Sequence, residues 1–460
     1  MKKILSFAFI ASVAMFPLLS SAAGHRSVHL EAPGTLEETL GEEVISLDSL
    51  TISGPLNDTD FQTMWNGSFN GQLSYINLEE ALPEGDAIPE KAFYHSQEQN
   101  NGAYAMTLSL HELILPKNLV RIDDFALMHV NLNSLTLPES LKEIGICAFS
   151  NSRTNWGDLV IPGNVEHIGV CAFLSNPNID SITFPSSLVS IGDQAFYGPQ
   201  PKTITFSEGL ESIGAFAFGG SYVEELILPN SLKTIGECAF QQMHWLKRLK
   251  LPSSLESIPF SCFNGCALEE LTIPGNIKRI EMYAFQNCYN LTKLTFEHGA
   301  EGLAIDSFSG LSKLKEVYSE DPMPPLCDYN TEINGDTGVG PFGNPLGGYP
   351  SEAILYVPEG SVDSYRNSLG WNYFKDIRPY DFPYSGITAA ETAAEPIKVN
   401  VVDGGIMIES PIGGEYMVYG IDGKLISKGE VDKNASLQIP LPEGCYLVSV
   451  NRDSHKIYIK

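Results

Sequence analysis

Residues Leu226 to Phe240 read LILPNSLKTIGECAF, and the fold follows from how often this run returns. Leu226, Leu228, Leu232, Ile235, Ala239 and Phe240 are apolar, Pro229 follows the first pair, and Gly236 follows the isoleucine. The alternation at Leu226 and Leu228 is that of a short strand with both side chains on one face. Pro229 ends the strand because it has no N–H to donate. Leu-x-x-Ile-Gly reads as a second short strand on the outer wall, with the glycine allowing a bend. The Ala-Phe step reads as a short helical turn whose ring plugs the coil.

The run recurs. Its closing aromatic, or the substitute Leu127, falls at residues 127, 149, 173, 196, 218, 240, 263, 285 and 308, at intervals of 22 to 24 residues. A fixed period of about 20–29 residues carrying L-x-x-L-x-L marks a leucine-rich solenoid. A lone copy has too few apolar side chains to offset ordering its backbone, which costs about 1–2 kcal/mol per residue. Copies must therefore stack, and the ends of the stack need caps. The expected fold is a strand-rich α/β solenoid with a parallel sheet on one face, short outer strands and helical turns, followed by a C-terminal β-sandwich. Asn118, Ser140, Asn164, Ser187, Ser231, Ser254 and Asn276 lie two residues past their prolines. Such short polar side chains suit a ladder that satisfies turn backbone in the next coil.

Working outward gives the domain plan. Residues 1–23 read as a signal peptide: Lys2 and Lys3 precede an apolar run, and Ser21-Ala22-Ala23 offers small residues to a peptidase cutting before Gly24. A retained membrane anchor is the weaker reading, because the run is short for a bilayer span. Residues 24–43, polar and acidic, are expected to be a flexible lead-in. The solenoid is placed at 44–380, with an end cap at 351–380. There Ser361 would cap a helix through Leu369, and Val362, Tyr365, Leu369, Trp371 and Phe374 would close the stack. Residues 381–396 read as a linker. Residues 397–460 hold about seven short strands punctuated by Asp403-Gly404, Asp422-Gly423 and Glu443-Gly444, which suggests a small β-sandwich.

Charge and cysteines limit the function. The formal net charge is −28, and loss of Lys2 and Lys3 with the signal makes it more negative. Such a field repels nucleic acid, so no nucleic-acid partner is expected, and the mature chain is expected to have no transmembrane segment. Cys147, Cys171, Cys238, Cys262, Cys266 and Cys288 all keep step with the repeat, so they read first as small buried apolar residues. Cys266 and Cys288 would lie about 5 Å apart in stacked coils, a distance a disulfide can span.

The repeat L-x-x-L-x-L-P-x-S-L-x-x-I-G-x-x-A-F resembles the BspA-type leucine-rich repeat of bacterial surface proteins. The likeness runs from about Leu47 to Arg378 and includes LYVPEGSVDSYRNSLGWNYFKDI. Asp123, Pro259 and Glu281 replace the usual glycine and Ser207 the proline. The tail, with VVDGGIMIE, YGIDGKLI, LPEGCYLVSV and KIYIK, looks like the sorting domains of the type IX secretion system of Bacteroidetes. Together the resemblances imply an exported protein, at the cell surface, associated with the outer membrane or secreted. They imply adhesion to a host or bacterial surface protein, with glycan capture for nutrient uptake as the alternative.

No H-E-x-x-H, G-x-S-x-G, P-loop or paired C-x-x-C occurs, and the histidines are scattered. The chain is read as non-enzymatic, with no catalytic, cofactor or metal residues. Were it an enzyme, the Asp321 to Pro350 loop would be the place for a cleft. Asn57-Asp58-Thr59-Asp60 and Asn334-Gly335-Asp336 carry oxygens for calcium, but turn chemistry explains them better. The most pointed surface feature is HWLKRLK, His244 to Lys250, a basic cluster in an acidic chain. In-register stacking predicts Lys247 between Glu224 and Glu269, and Arg248 between Glu225 and Glu270. A register-fixing charge ladder is the plainer reading. The functional one is a recognition patch of Glu225, Trp245, Lys247, Arg248, Lys250, Glu270 and Thr272, with Trp245 as anchor. Thr136, Thr183, Thr205, Thr272 and Thr295 share an outward strand position, which suits exposed strands first and ligand contact second.

Overall fold

The structure is a computed structural model. It describes residues 24–94, 108–328, 339–343, 352–382, 398–402, 404–410, 414–420, 425–433, 435–450 and 453–459. The signal segment, the insertion from His95, most of the Asp321 to Pro350 loop with Asn334-Gly335-Asp336, and nearly all of the linker lie outside the described residues. The chain divides into two compact units, Met1–Tyr380 and Asp381–Lys460.

The first unit is the expected solenoid. Its core is one continuous apolar column, in which Phe149, Phe173, Phe196, Phe218, Phe240, Phe263, Phe285 and Phe308 are all buried. Successive rings stack nearly parallel, with centroids 5.0 to 5.7 Å apart. That is slightly more than the spacing of neighbouring strands, about 4.7–4.9 Å, so one ring per coil fills the column. The stack goes one step further than the repeat suggests. Phe342, inside the Pro/Gly-rich stretch, lies 5.7 Å from Phe308 and is fully buried.

Two expected details are different. The Ala-Phe step is a tight turn, not a helical one: the residue before the alanine is left-handed, as at Cys147 (φ +52°), Cys171 (φ +55°) and Cys238 (φ +57°). The repeat glycines matter for closeness, not for bending. A Cβ on Gly192 would lie 2.5 Å from the Val170 backbone nitrogen and 2.7 Å from the Gly169 carbonyl carbon. Coils approach there so tightly that only a hydrogen fits. The polar ladder is real but points backward, to the preceding coil. Ser187 donates to the Val165 carbonyl at 2.8 Å, Ser231 to Leu210 at 2.8 Å and Ser140 to Leu119 at 2.7 Å.

Two walls carry the backbone pairing. The sheet wall is parallel but divided, with separate groups over 25–114, 157–205, 225–250 and 270–380. The outer wall is a ladder of two-residue strands running unbroken from Ala87–Ile88 to Thr234–Ile235. It restarts at Ser257–Ile258 and runs on to Leu326–Cys327. Upstream, Gly145, Gly169, Gly192, Gly214 and Gly236 each donate an N–H at 2.8 Å to the coil before. Pro259 holds the equivalent position, has no N–H, and the ladder stops there.

The segment expected to be a flexible lead-in is an ordered cap. His25–His29 pairs in parallel with the first repeat strand, Ser49–Leu56, and a short helix follows at Leu36–Leu40. Val28, Leu30, Leu36 and Leu40 are buried. The physical reason is that the first coil exposes a strand edge and an apolar end that must be covered. A helix at Asp58–Phe69 completes the cap. Asn57 caps it, and the buried Asp60 carboxylate accepts N–H groups from Gly34 (2.7 Å), Leu36 (3.0 Å) and Asn57 (2.9 Å). Its oxygens are thus committed to backbone, in line with the turn reading.

At the other end Tyr365, Trp371 and Phe374 are buried and seal the column. The Trp371 indole donates to the Pro325 carbonyl at 2.9 Å, and the Tyr365 hydroxyl donates to the Asp321 carbonyl at 2.8 Å. The cap helix is shorter than expected, Val362–Arg366; Ser361 makes no side-chain cap, and Leu369 is 49% exposed. Gly370, left-handed at φ +84°, already turns the chain toward Trp371.

Among the described residues the second unit has seven antiparallel strands in sheets of three and four. Ile406, Ile408, Val418, Val431, Ile439, Tyr446, Val448, Ile457 and Ile459 form its core. Cys238, Cys262, Cys266 and Cys288 are buried, Cys147 and Cys171 half-buried, and these six are free thiols. Cys266 and Cys288 are not bridged. Their thiols donate to the Phe240 carbonyl at 3.3 Å and the Phe263 carbonyl at 3.4 Å, and burial pushes Cys288 up to about 12.

Candidate functional site

The basic cluster forms on two neighbouring strands. Glu225–Ile227 pairs in parallel with Arg248–Lys250, with Glu225 opposite Arg248 and Ile227 opposite Lys250. Side chains at both ends of each strand point outward, because Leu226 and Leu249 between them turn to the core. Lys247 Nζ lies 3.2 Å from Glu224 Oε2, and Arg248 Nη2 lies 3.2 Å from Glu225 Oε2. The hydrogen bond and charge of Glu225 raise the Arg248 pKa, with smaller help from Glu224 and Glu269.

The downstream half of the expected ladder does not form. Neither Lys247 nor Arg248 makes an ion pair with Glu269 or Glu270 among the described residues. The reason is the break in the sheet wall: Arg248–Lys250 and Glu270–Ile273 belong to different sheets, joined near here by one backbone bond, Glu269 N to Lys247 O at 3.2 Å. Glu270 is opposite Lys293 instead, and Thr272 opposite Thr295. The structure thus places Glu225, Trp245, Lys247, Arg248 and Lys250 on two adjacent coils, and Glu270 and Thr272 across a seam. Lys250 makes no ion pair among the described residues.

Trp245 stands 52% exposed on the turn that leads into its strand. The turn is fixed from inside by Met243 and Leu246, both fully buried, and by the Leu246 N–H to Met243 carbonyl bond at 3.0 Å. Tyr222, the equivalent residue of the coil before, lies beside it with ring centroids 6.2 Å apart. Ile227, 56% exposed, lies on the same two-stranded patch. Sequence reading passed over Tyr222 and Ile227, though counting back from Trp245 and Lys250 by one repeat would have found both.

A second group was not legible in the repeat. Tyr318, Tyr356 and Tyr380 come together at the C-terminal end of the sheet wall. Tyr318 and Tyr356 stack at 4.7 Å, and Tyr380 meets both edge-on at 5.3 and 5.6 Å. Lys293 Nζ sits over the Tyr318 ring, 5.1 Å from its centroid. Desolvation first, then the nearby Glu316 charge, pushes the Tyr318 hydroxyl up to about 12. These residues are brought together only because the strand Ile354–Pro358 pairs with Glu316–Ser319 across the long insertion. In the insertion itself the buried Asp321 carboxylate is held by His298 Nδ1 at 2.8 Å and the Gly299 N–H at 2.8 Å, a brace between turns. Among the described residues there is no cluster of potential metal ligands, and no helix is long and apolar enough to cross a membrane.

A capped stack of coils with a ring column inside and pairs of outward side chains on a parallel sheet defines a leucine-rich repeat solenoid. The family model for BspA type leucine rich repeat regions matches residues 97–224 and 211–329, in six copies, and the chain belongs to that family. Among solved structures it is similar to a leucine-rich repeat protein from Bacteroides ovatus, at 19% identity over 59% of this chain and 73% of that one, with a TM-score of 0.39. It is also similar to a leucine rich cell surface protein from Faecalibacterium prausnitzii, at 19% identity over 60% and 79%, TM-score 0.34. The pneumococcal vaccine antigen PcpA aligns at 20% identity over 73% and 80%, TM-score 0.38. No curated protein matches. None of these likenesses bears on what this chain binds.

Proposed function

We propose that this is an exported, non-enzymatic binding protein of the bacterial surface, whose solenoid engages a host or bacterial surface protein through the Tyr222–Trp245 patch. The observation that carries the reading is the patch itself. Two exposed aromatic rings 6.2 Å apart adjoin an exposed isoleucine and Lys250, which makes no ion pair among the described residues, in a chain of net charge −28. Trp, Tyr and Arg, all present in this patch, are the residue types enriched at interface hot spots. The repeat family, the signal-like N-terminus and the likeness of the tail to sorting domains support placement at the surface.

The test is a binding screen of the chain from Gly24 against host matrix proteins and a glycan panel, followed by a variant in which Trp245, Lys247, Arg248 and Lys250 are all replaced by alanine. Affinity for the protein hit is expected to fall at least about tenfold, the scale of one lost hot spot. Unchanged affinity in a folded variant removes the patch from the reading. The alternative, glycan capture, draws on the tyrosine group at Tyr318, Tyr356 and Tyr380. The Tyr318 ring already meets Lys293, Tyr356 and Tyr380, which leaves it little free surface on which to stack a sugar and favours the protein partner.

A further inference from the structure

Cys147 and Cys171 occupy the same left-handed position in consecutive coils (φ +52° and +55°), so their side chains leave the backbone in the same direction. The ladder around them is in register: Cys147 N donates to the Val170 carbonyl and Phe149 N to the Ala172 carbonyl, both at 2.8 Å. The rings next to them, Phe149 and Phe173, stack at 5.1 Å, which sets the local separation of the coils. A disulfide spans Cα atoms about 4.4–6.8 Å apart, and a coil separation of this size lies within that range. The two thiols are neighbours and both are half-buried: burial first, then the Cys171 thiol, raises the Cys147 pKa to about 11, and burial raises that of Cys171 against a hydrogen bond from Cys147.

Among the described cysteines no other pair combines these conditions. Cys266 and Cys288 are also one coil apart but sealed in the core, with each thiol committed to a carbonyl of the preceding coil. Cys238 shares the left-handed position, but its neighbour in the next coil is Ser261. We infer that Cys147 and Cys171 form a covalent staple between two coils when the protein meets a disulfide-bearing oxidant.

The step balances by thiol–disulfide exchange. One thiolate attacks a sulfur of the oxidant, oxidised glutathione for instance, and expels one reduced glutathione. The second thiolate then attacks the mixed disulfide and expels the other. Two S–H bonds are lost and one S–S bond forms. The two electrons and two protons leave as two glutathione thiols. The staple closes a short loop on the outer side of the array, so it stabilises the pairing of coils it joins.

The experiment uses the chain from Gly24 to Lys460, folded, incubated with oxidised glutathione, quenched with a maleimide and digested. The expected result is loss of the mass of two hydrogens, one cross-linked peptide joining the Cys147 and Cys171 segments, and Cys266 and Cys288 recovered unbridged. The melting temperature should rise on oxidation, and the rise should vanish in Cys147→Ser. That variant is expected to fold, because Gln194, Ser261 and Tyr283 hold the equivalent left-handed position in other coils. Recovery of both thiols as maleimide adducts, or of each as a stable glutathione adduct, overturns the inference. So does a bridge to any other cysteine.

Discussion

The coils from Ala87 to Ile235 and the coil that follows them share one repeat but are held together differently. In the first stretch the outer ladder is continuous, with a glycine N–H bonded at 2.8 Å in coil after coil from Gly145, and the rings stack without a break from Phe149 onward. At Pro259 the ladder stops, and between Lys250 and Glu270 the sheet wall stops as well. The ring column passes through without change: Phe240 and Phe263 are 5.4 Å apart and nearly parallel. Turn bonds survive too, with Cys238 N to the Phe260 carbonyl at 2.9 Å and Phe240 N to the Cys262 carbonyl at 3.0 Å. The array therefore tolerates loss of backbone pairing where burial continues, as expected when stability is a sum of neighbour terms dominated by the core. It also follows that the candidate patch sits on the upstream side of a seam, which is why, among the described residues, Lys247 and Arg248 make their ion pairs with Glu224 and Glu225.

The largest expected effect tests whether the ring column is common to both stretches. Phe218→Ala and Phe263→Ala should each destabilise the solenoid by about 3–5 kcal/mol in chemical denaturation. A melting curve matching the parent's for either would break the comparison. A smaller effect should separate the stretches at a single repeat position. Gly192→Ala pushes a Cβ against backbone and should cost about 1–3 kcal/mol, whereas Glu281→Ala, at the same position past the seam, should stay within about 0.5 kcal/mol. Equal losses would mean that the coils are not closer upstream. The smallest effect is at the seam itself. Pro259→Ala restores an N–H facing the Ile235 carbonyl, and a net hydrogen bond of about 1 kcal/mol is offset by the greater freedom of the unfolded chain. Stability should hardly move, while the amide at 259 should become protected from hydrogen exchange. An unprotected amide would show that something other than the missing donor parts the walls.

Much of this was legible in the repeat. The phenylalanine positions, the strand and proline order and the charge partners Glu224 and Glu225 all follow from counting, because each coil repeats the last. What failed did so where a residue's role depends on something outside its own coil. Residues 24–43 look polar in isolation and order only because Ser49–Leu56 offers an edge. Glu270 was paired with Arg248 by register alone, but the sheet between them does not close. Phe342 and the tyrosine group were hidden because an insertion carried them out of step with the period.

By itself the sequence determined the coil. The period fixes which side chains go inward and which columns face solvent, since these depend on spacing along the chain. The tertiary structure alone decided continuity: where the walls break, how the ends are sealed, and which thiols and rings meet. Those outcomes rest on distances between coils, and a single missing N–H or an extra loop changes them without disturbing the repeat.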